Sequence, residues 1–448
     1  MCPRISSLRL CSSPQRERVV GLSHFFQPML ISTQTKFVTA SAILLVSASA
    51  LAETPEALVK QGLHRNPELN FFVAEIAAAK GAVRTAGTLR NPELSTELGY
   101  KNSRENSGGA SGDGAILAFS FSQTFEYPGR IALRKAIANH DLVVAELHLQ
   151  QFRLTLAARV RSLAYASTSA HKRTKAVQEV TARTQALNDV LKQRPLAGVA
   201  PQLEAEIISA NLLSFQRQER ESTLAEKTLA AELNQLCGRS ANAALAVDAS
   251  PIAFTSRSVP GLVEAARSNA FDIRIRQIEL AQQGFKVALS KNERFPAIAV
   301  GPFYSLEKAV DREQRAGLGI SLPLPLWDRN VGNIASSKAR QQQAEASLAL
   351  TEREVERRVT QTAAGLETKR AEIETWQAGA LAKLREASRS ADQNYRLGAV
   401  PLTTYVEIQK QYLEAIGAFH DAQKDALEAA QALEILTGQK LYRWEQGR

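Results

Sequence analysis

The sequence predicts a mainly α-helical protein with a small β part, built from one unit that occurs twice. The turns Gly198–Pro201 and Gly398–Pro401 lie 200 positions apart. Three later positions match at the same offset: Leu233, Leu236 and Gly238 recur as Leu433, Leu436 and Gly438. Long runs without proline predict long helices, and segments of period two predict strands. Because the period far exceeds that of a solenoid repeat, we expect two copies of a large unit to pack into one structure.

Composition excludes several classes of protein. The formal net charge is +10, but the basic residues are interspersed with acidic ones, so we expect no nucleic-acid binding. Only Cys237 follows the predicted signal peptide, so the mature chain can form no internal disulfide. The sequence shows no zinc or copper ligand spacing, P-loop, nucleophile elbow or dinucleotide fingerprint. We therefore expect neither an enzyme nor a resident metal or cofactor.

The N-terminal segment predicts an exported protein. Lys36 precedes an apolar run over residues 37–46, and small residues lead up to Ala52 and Glu53. This order predicts a signal peptide over 29–52, cleaved between Ala52 and Glu53. Residues 1–28 are interpreted as a start-site extension ahead of Met29. The run is too short for a membrane helix, and the cleavage region has no cysteine that could carry a lipid anchor.

The first structural repeat is expected over residues 53–245. It begins with a helix from Pro55 to about Leu89, broken by a turn at Asn66. A β-hairpin follows over about 93–126, because apolar residues alternate with polar ones there. A helical hairpin over about 131–238 completes the unit.

The second structural repeat is expected over residues 260–440 and follows the same order. A helix over 260–292 leads into a β-hairpin over about 295–326 and a helical hairpin over about 331–438. A linker, 246–259, precedes this repeat, and a C-terminal tail, 441–448, follows it. The tail shows no pattern that predicts a structure.

The long helices, over about 131–193 and 331–395, contain no proline. At 1.5 Å per residue each spans about 90 Å, so each must project from any compact domain. Their apolar residues recur at heptad spacing, which predicts a coiled-coil seam. The turns that follow are too short for anything but antiparallel return helices, which end at Gly238 and Gly438.

Each β-hairpin is expected to have one apolar face, because its apolar residues stand at every second position. Tyr127 and Trp327 occupy equivalent places after the two hairpins. Aromatic side chains at such places favour a membrane interface, with the capping of an ordinary sheet as the alternative.

The order of elements, the exported N-terminus and the turn sequence Tyr395–Pro401 resemble the TolC family of outer-membrane efflux ducts. The resemblance covers about residues 54–440. The segments Asn66–Leu69 and Asn91–Leu94 and the short mature length are most similar to the heavy-metal cation efflux branch, the CzcC-like proteins. The resemblance implies a location in the outer membrane of a Gram-negative bacterium, with a long periplasmic part.

The architecture that this resemblance implies is a homotrimer. Its helices form a coiled-coil tunnel, topped by a shared twelve-stranded transmembrane β-barrel with four strands per protomer. Four strands cannot close a barrel alone, and open edges are not tolerated in lipid, so association is also a physical requirement. In such barrels apolar side chains face lipid and polar ones face the lumen. The residues expected to face lipid are Leu117, Phe119, Phe121, Leu318 and Ile320.

The function that the resemblance implies is that of the outer-membrane channel of a tripartite efflux system. An inner-membrane resistance-nodulation-division pump would deliver substrates, with heavy-metal cations as the expected cargo, through a periplasmic adaptor protein. The alternatives are a duct for drugs or for type I secreted polypeptides, and a periplasmic coiled-coil scaffold without a pore.

The helix-hairpin tips correspond to the adaptor-docking region of the family. The residues concerned are Leu196, Ala197, Gly198, Val199 and Pro201 in the first copy, and Arg396, Leu397, Gly398, Ala399 and Pro401 in the second. Small residues let another backbone approach closely, and glycine permits a tight turn. The alternative is a turn built in this way for its geometry alone.

The periplasmic gate of the family corresponds to Thr404 and Glu407. Family members often place carboxylates on the return helix just past the second tip, but here Thr404 occupies one of those positions. Glu407 alone could then supply a ring of three carboxylates, which would attract cations. The alternative is a solvated glutamate on an ordinary helix face.

Overall fold

The computed structural model describes residues 52–104, 111–193, 199–249, 251–309, 311–377 and 379–445. The predicted start-site extension, and the predicted signal peptide as far as Leu51, lie outside the described residues. Ala52 is exposed, and Glu53 forms an ion pair of 2.6 Å with Arg239. No helix of the described ranges is both long and apolar enough to cross a membrane.

The first half of the chain contains two short helices, a strand pair and a long helical hairpin. Its elements are α1 (Pro55–Arg65), α2 (Glu68–Ala86), β1 (Glu93–Ser103), β2 (Gly112–Phe125), α3 (Arg130–Gln193) and α4 (Val199–Leu236). The helix α3 has 64 residues and projects far beyond the sheet, as its lack of proline predicts.

The second half repeats this order with small additions. Its elements are β3 (Ile252–Phe254), α5 (Val259–Asn269), α6 (Phe271–Asn292), β4 (Ile298–Lys308), β5 (Arg312–Ser321), α7 (Val331–Gln377), α8 (Ala380–Arg396), α9 (Leu402–Thr437) and β6 (Tyr442–Trp444). The fold class predicted from the sequence, mainly α-helical with a small β part, is confirmed.

The prediction of one continuous helix over 331–395 is wrong. α7 ends at Gln377 and α8 begins at Ala380. Between them, Gly379 has φ +85°, a left-handed conformation that an α-helix cannot contain. The first copy has no such break in the same position, so the two hairpins differ.

The duplication is visible in matched contacts at the ends of the return helices. Asn66 donates a hydrogen bond of 3.3 Å from Nδ2 to the carbonyl of Leu236, at the end of α4. Asn269 donates one of 3.0 Å to the carbonyl of Thr437, at the end of α9. Carbonyls at a helix C-terminus have no partner within the helix, so each asparagine satisfies one and joins a short helix to a return helix.

The apolar core follows the coiled-coil seams. Val160, Val177 and Val180 of α3 are fully buried, as are Val359 of α7 and Leu433 of α9. The four valines stand at positions where heptad spacing predicts burial. The free thiol of Cys237 is also buried, and its burial raises the pKa of the thiol, which fits a role as apolar filler.

The linker and the tail pair with each other, which the sequence did not predict. Ile252, Ala253 and Phe254 of β3 lie antiparallel to Trp444, Arg443 and Tyr442 of β6. Ile252 and Tyr442 are buried in the same apolar cluster as α5, α7 and α9. Residues 442–444 of the tail are therefore part of the helical body.

A buried histidine lies where α3 and α9 pack. His420 Nδ1 is 3.2 Å from the hydroxyl of Tyr165, which also donates a short hydrogen bond to Gln423. Burial, and then the positive charges of Lys172 and Arg173, lower the pKa of His420 to about 4. Burial raises the pKa of Tyr165 to about 12, so both side chains are neutral at pH 7.

This pKa shift predicts a loss of stability in acid. The unfolded chain protonates His420 near pH 6.5, whereas the folded chain resists protonation down to about pH 4. The contribution of His420 is therefore complete above pH 6.5 and is lost as pH falls toward 4, at up to roughly 1.4 kcal/mol per pH unit. Thermal midpoints of purified protein between these pH values should fall less steeply for His420→Gln than for the native chain. Equal slopes would contradict the assignment.

Candidate functional site

The second helical hairpin ends in a tight turn that points into solvent. Gly398 has φ +75°, and its N–H donates to the carbonyl of Tyr395 at 2.9 Å. The N–H of Ala399 donates to the carbonyl of Asn394 at 2.8 Å. A Cβ built on Gly398 would meet no atom within 4 Å, and Leu397 is 81% exposed. The turn thus presents backbone and one apolar side chain to the surroundings.

Other tip residues contribute to the turn or lie outside the described residues. Arg396 forms an ion pair of 3.1 Å with Asp392 one turn earlier, and Pro401 precedes the first residue of α9. In the first copy, Leu196, Ala197 and Gly198 lie outside the described residues. Of that tip, the backbone of Val199 and Pro201 is described and is helical.

The two predicted gate residues lie together on one exposed face of α9. Thr404 and Glu407 are both exposed and one helical turn apart, while Leu402, Tyr405 and Val406 are buried on the opposite face. The Oε1 of Glu407 accepts a hydrogen bond of 2.9 Å from Gln411. Because Glu407 is exposed, its carboxylate can face a passage or a neighbouring chain.

Near this end, polar contacts that the sequence did not reveal join the two hairpins to each other and the two helices of the second hairpin. Glu179 of α3 forms ion pairs with Arg183 at 3.2 Å and with Arg385 of α8 at 3.0 Å. Ser388 and Gln409 are fully buried and exchange two hydrogen bonds, of 2.7 and 2.8 Å, between α8 and α9. Satisfied buried polar pairs fix helix register. Ser388 and Gln409 occupy buried positions between the helices that the apolar pattern could not reveal.

The four longer strands form one antiparallel sheet in the order β1-β2-β4-β5. Its pairing puts Leu98, Leu117 and Leu306 side by side, and puts Thr96, Phe119 and Tyr304 side by side. Directly paired residues of antiparallel strands point to the same face. One face, here called the apolar face, therefore carries all five residues predicted to contact lipid: Leu117, Phe119, Phe121, Leu318 and Ile320.

The opposite face of the sheet, here called the polar face, carries serines, glycines and charged side chains. On this face Ser95, Ser120 and Phe303 are neighbours, followed by Glu97, Ala118, Ser305 and Arg315. β1 and β5 have no further strand partner among the described residues, so the sheet ends in two free edges.

The two candidate interface aromatics have different surroundings. Tyr127 stacks on Phe295, with ring centroids 4.3 Å apart. Trp327 is 94% exposed. The two places are equivalent in the sequence but differ in the fold, because Tyr127 has a ring partner, Phe295, from the second structural repeat of the same chain.

No group of three or more His, Cys, Asp or Glu residues within the described ranges is arranged to hold a metal ion. The ionisable clusters noted above are ion pairs between opposite charges.

The family model for the outer membrane efflux protein matches the chain twice, at residues 58–239 and 262–439. The chain belongs to this family. The two matches fall in the two halves of the duplicated fold, and the protein is an outer-membrane component of efflux with a long periplasmic part.

Individual relatives of this outer membrane efflux protein are distant in sequence but similar over nearly their whole length. The cobalt-zinc-cadmium resistance protein CzcC of Cupriavidus metallidurans is 20% identical over 419 residues, which are 92% of this chain and 97% of CzcC. The predicted membership of the TolC family and its CzcC-like branch is confirmed.

Two solved channels share the fold. The CmeC outer membrane channel of Campylobacter jejuni has a TM-score of 0.70 at 16% identity, covering 88% of this chain and 87% of CmeC. CusC, whose structures concern folding and transmembrane channel formation, has a TM-score of 0.65 at 16% identity, covering 86% of this chain and 92% of CusC.

Proposed function

We propose that three copies of this efflux protein form a passive duct, in which the sheets close into a shared β-barrel and the helical hairpins form a periplasmic tunnel. The observation that carries this proposal is the two-faced sheet with two free edges. An apolar face suits lipid, but an unpaired edge in lipid leaves backbone polar groups unsatisfied. Pairing β1 of one copy with β5 of the next removes every edge.

Orientation in the membrane follows from the sheet. Leu117, Phe119, Phe121, Leu318 and Ile320 then contact lipid, and the polar face lines the lumen. Tyr127 and Trp327 lie at the helical end of the sheet, where aromatic side chains anchor at the membrane interface. The mature chain begins at Glu53, after cleavage of the signal peptide 29–52. A pore-free periplasmic scaffold has no use for an apolar sheet face, which argues against that alternative.

The tips are the docking sites for a periplasmic adaptor, which connects the duct to an inner-membrane resistance-nodulation-division pump. Support comes from the second tip, where Leu397 is exposed and the space beside Gly398 is open. A helical hairpin of the adaptor could approach this backbone closely. The first tip, Leu196–Pro201, would dock in the same way.

Heavy-metal cations are the proposed cargo. The likeness to the cobalt-zinc-cadmium resistance protein over 97% of its length supports this choice. A duct needs no resident metal site, since selectivity would rest on the pump and on the charge of the duct walls. Drugs and secreted polypeptides remain the alternative cargoes.

The test is a strain that lacks this gene. Sensitivity to cobalt, zinc, cadmium and copper salts should rise, with little change toward dyes and antibiotics, and the native gene should restore growth. Membrane fractionation and chemical cross-linking should find the protein as trimers in the outer membrane. Recovery in the soluble periplasm would reject the duct, and a drug-sensitive but metal-resistant strain would reject the cargo.

Glu407 gives a separate prediction for the periplasmic entrance. Three Glu407 carboxylates around a closed entrance would attract cations, so Glu407→Gln should lower the potassium-to-chloride permeability ratio by about threefold or more. Thr404→Asp should raise it, because it adds carboxylates one turn away. Reversal potentials of purified protein in planar bilayers measure both. An unchanged ratio in both variants would place this face of α9 away from the passage.

A further inference from the structure

The polar face of the sheet has an excess of negative charge. Within the described strands it carries four carboxylates against two cations, which leaves two uncompensated negative charges in each copy. The carboxylates are those of Glu93, Glu97, Glu307 and Glu313, and the cations are Lys101 and Arg315.

The charges near the loop end of the sheet neutralise one another. Lys101 Nζ lies 2.7 Å from Glu307 Oε2, and Arg315 lies 3.8 Å from Glu307 and 2.8 Å from Glu313. Glu307 is the least exposed of the four, with a side chain 17% accessible. These four side chains form a cluster without net charge, here called the outer ion-pair cluster.

The uncompensated charges lie on β1, nearer the helical end. Glu93 and Glu97 are exposed, and neither forms a salt bridge within the described ranges. On β1, Glu97 lies two same-face positions before Lys101, in the row of Ala118 and Ser305. The net charge of the polar face does not depend on how the protomers associate. An ion pair between two protomers would bring charges together but would leave their sum unchanged.

The apolar face has a different distribution of charge. Its charged residues are Asp113, Lys308 and Arg312, all at the loop end of the strands. Between these and the helical end, the apolar face carries none. The sheet therefore separates charge by face. Away from the loop end of the strands, only the polar face bears carboxylates.

We propose that Glu93 and Glu97 make the barrel section of the duct selective for cations, while the outer ion-pair cluster keeps the outer mouth close to neutral. This inference rests on the proposed duct. Carboxylates on the wall of a water-filled passage raise the local concentration of cations and lower that of anions. The barrel wall thus favours cationic cargo without coordinating it, which allows release at the outer mouth.

The experiment measures potassium-to-chloride permeability ratios from reversal potentials in planar bilayers. All chains carry Glu407→Gln, so that the periplasmic carboxylates do not mask the barrel. Glu97→Gln should lower the ratio by about twofold or more, and Lys101→Gln should raise it, because Glu307 loses its nearer cation. Raising the salt concentration from 0.1 M to 1 M should shrink both effects, since the screening length falls from about 10 Å to about 3 Å.

Asp113→Asn is the matched control, because it removes a carboxylate from the same sheet on the apolar face. It should leave the ratio unchanged. If the Glu97 and Lys101 variants form pores with the same permeability ratio as the chain that carries Glu407→Gln alone, the inference is overturned while the duct stands. Shifts of both variants in one direction would also overturn it, since distortion and not charge would then be the cause. Absence of pores from every variant, and also from the unmodified protein measured beside them, would overturn the duct itself.

Discussion

Gly398→Trp should reduce metal export to the level of a strain that lacks the gene, while the amount of trimer in the outer membrane stays unchanged. Gly398 has φ +75°, where a residue with a side chain is strained by about 1–2 kcal/mol. That strain falls on a surface turn and is too small to unfold a long helical hairpin. The indole would extend into the open space beside the turn, where the proposed adaptor must approach.

Two variants separate docking from backbone strain. Gly379→Trp places the same side chain at φ +85°, also in open space, but between α7 and α8 and away from the tip. It should retain export. Gly398→Asn tolerates the left-handed conformation with a small side chain, and should retain most export.

Growth on inhibitory metal salts measures export, and immunoblots of trimers in outer-membrane fractions measure assembly. Loss of export in both tryptophan variants would assign the effect to strain. Full export by Gly398→Trp would remove the second tip from the docking surface. Only loss at the tip, with intact trimers, supports docking.

Local periodicity was sufficient to predict the large elements. Alternation around Phe119 predicts both faces of the sheet, because a strand turns its side chains by a fixed half-turn. The buried valines of α3 follow from heptad spacing, because a coiled-coil helix returns to the same face every 3.5 residues on average. The family resemblance then supplied the expectation of a trimer with a shared barrel, whereas the residues alone indicate only that the sheet edges need partners.

The missed features depend on contacts between distant parts of the chain. The tail strand Tyr442–Trp444 has three residues, and its partner Ile252 lies in the linker, so no local pattern reveals the pair. The break at Gly379 follows a run that is otherwise typical of a helix, since glycine in a helical pattern does not require an end. Ser388 and Gln409 are buried polar residues whose partners only the fold specifies.

The candidate sites show the same limit. Sequence placed Thr404 and Glu407 one turn apart, and the fold puts them on one exposed face because Tyr405 and Val406 are drawn into the core. Which way that face points in a trimer depends on neighbouring copies, and intramolecular periodicity carries no information about those copies.

Gly238→Ala should lower the thermal midpoint of the purified protein much more than Gly438→Ala, although the two glycines match in the duplication. Both have positive φ, +66° and +71°, so alanine adds a similar strain of about 1–2 kcal/mol at each. Their neighbours differ. A Cβ on Gly238 would lie 2.8 Å from both the Cβ and the carbonyl oxygen of Arg65, whereas one on Gly438 would lie 3.7 Å from Asn269.

The contact at Gly238 is with the backbone oxygen and the Cβ of Arg65, neither of which can rotate away. Alanine therefore forces α1 away from α4, and such overpacking costs about 1–3 kcal/mol of stability. Far-UV circular dichroism of detergent-solubilised protein at one heating rate measures the difference. Gly284→Ala is the control, because that glycine is helical, has open space around it, and gains helix propensity. Equal losses at Gly238 and Gly438 would mean that α1 shifts freely. Unequal losses would mean that the duplicated halves keep the same turn but have diverged in how tightly each short helix packs on its return helix.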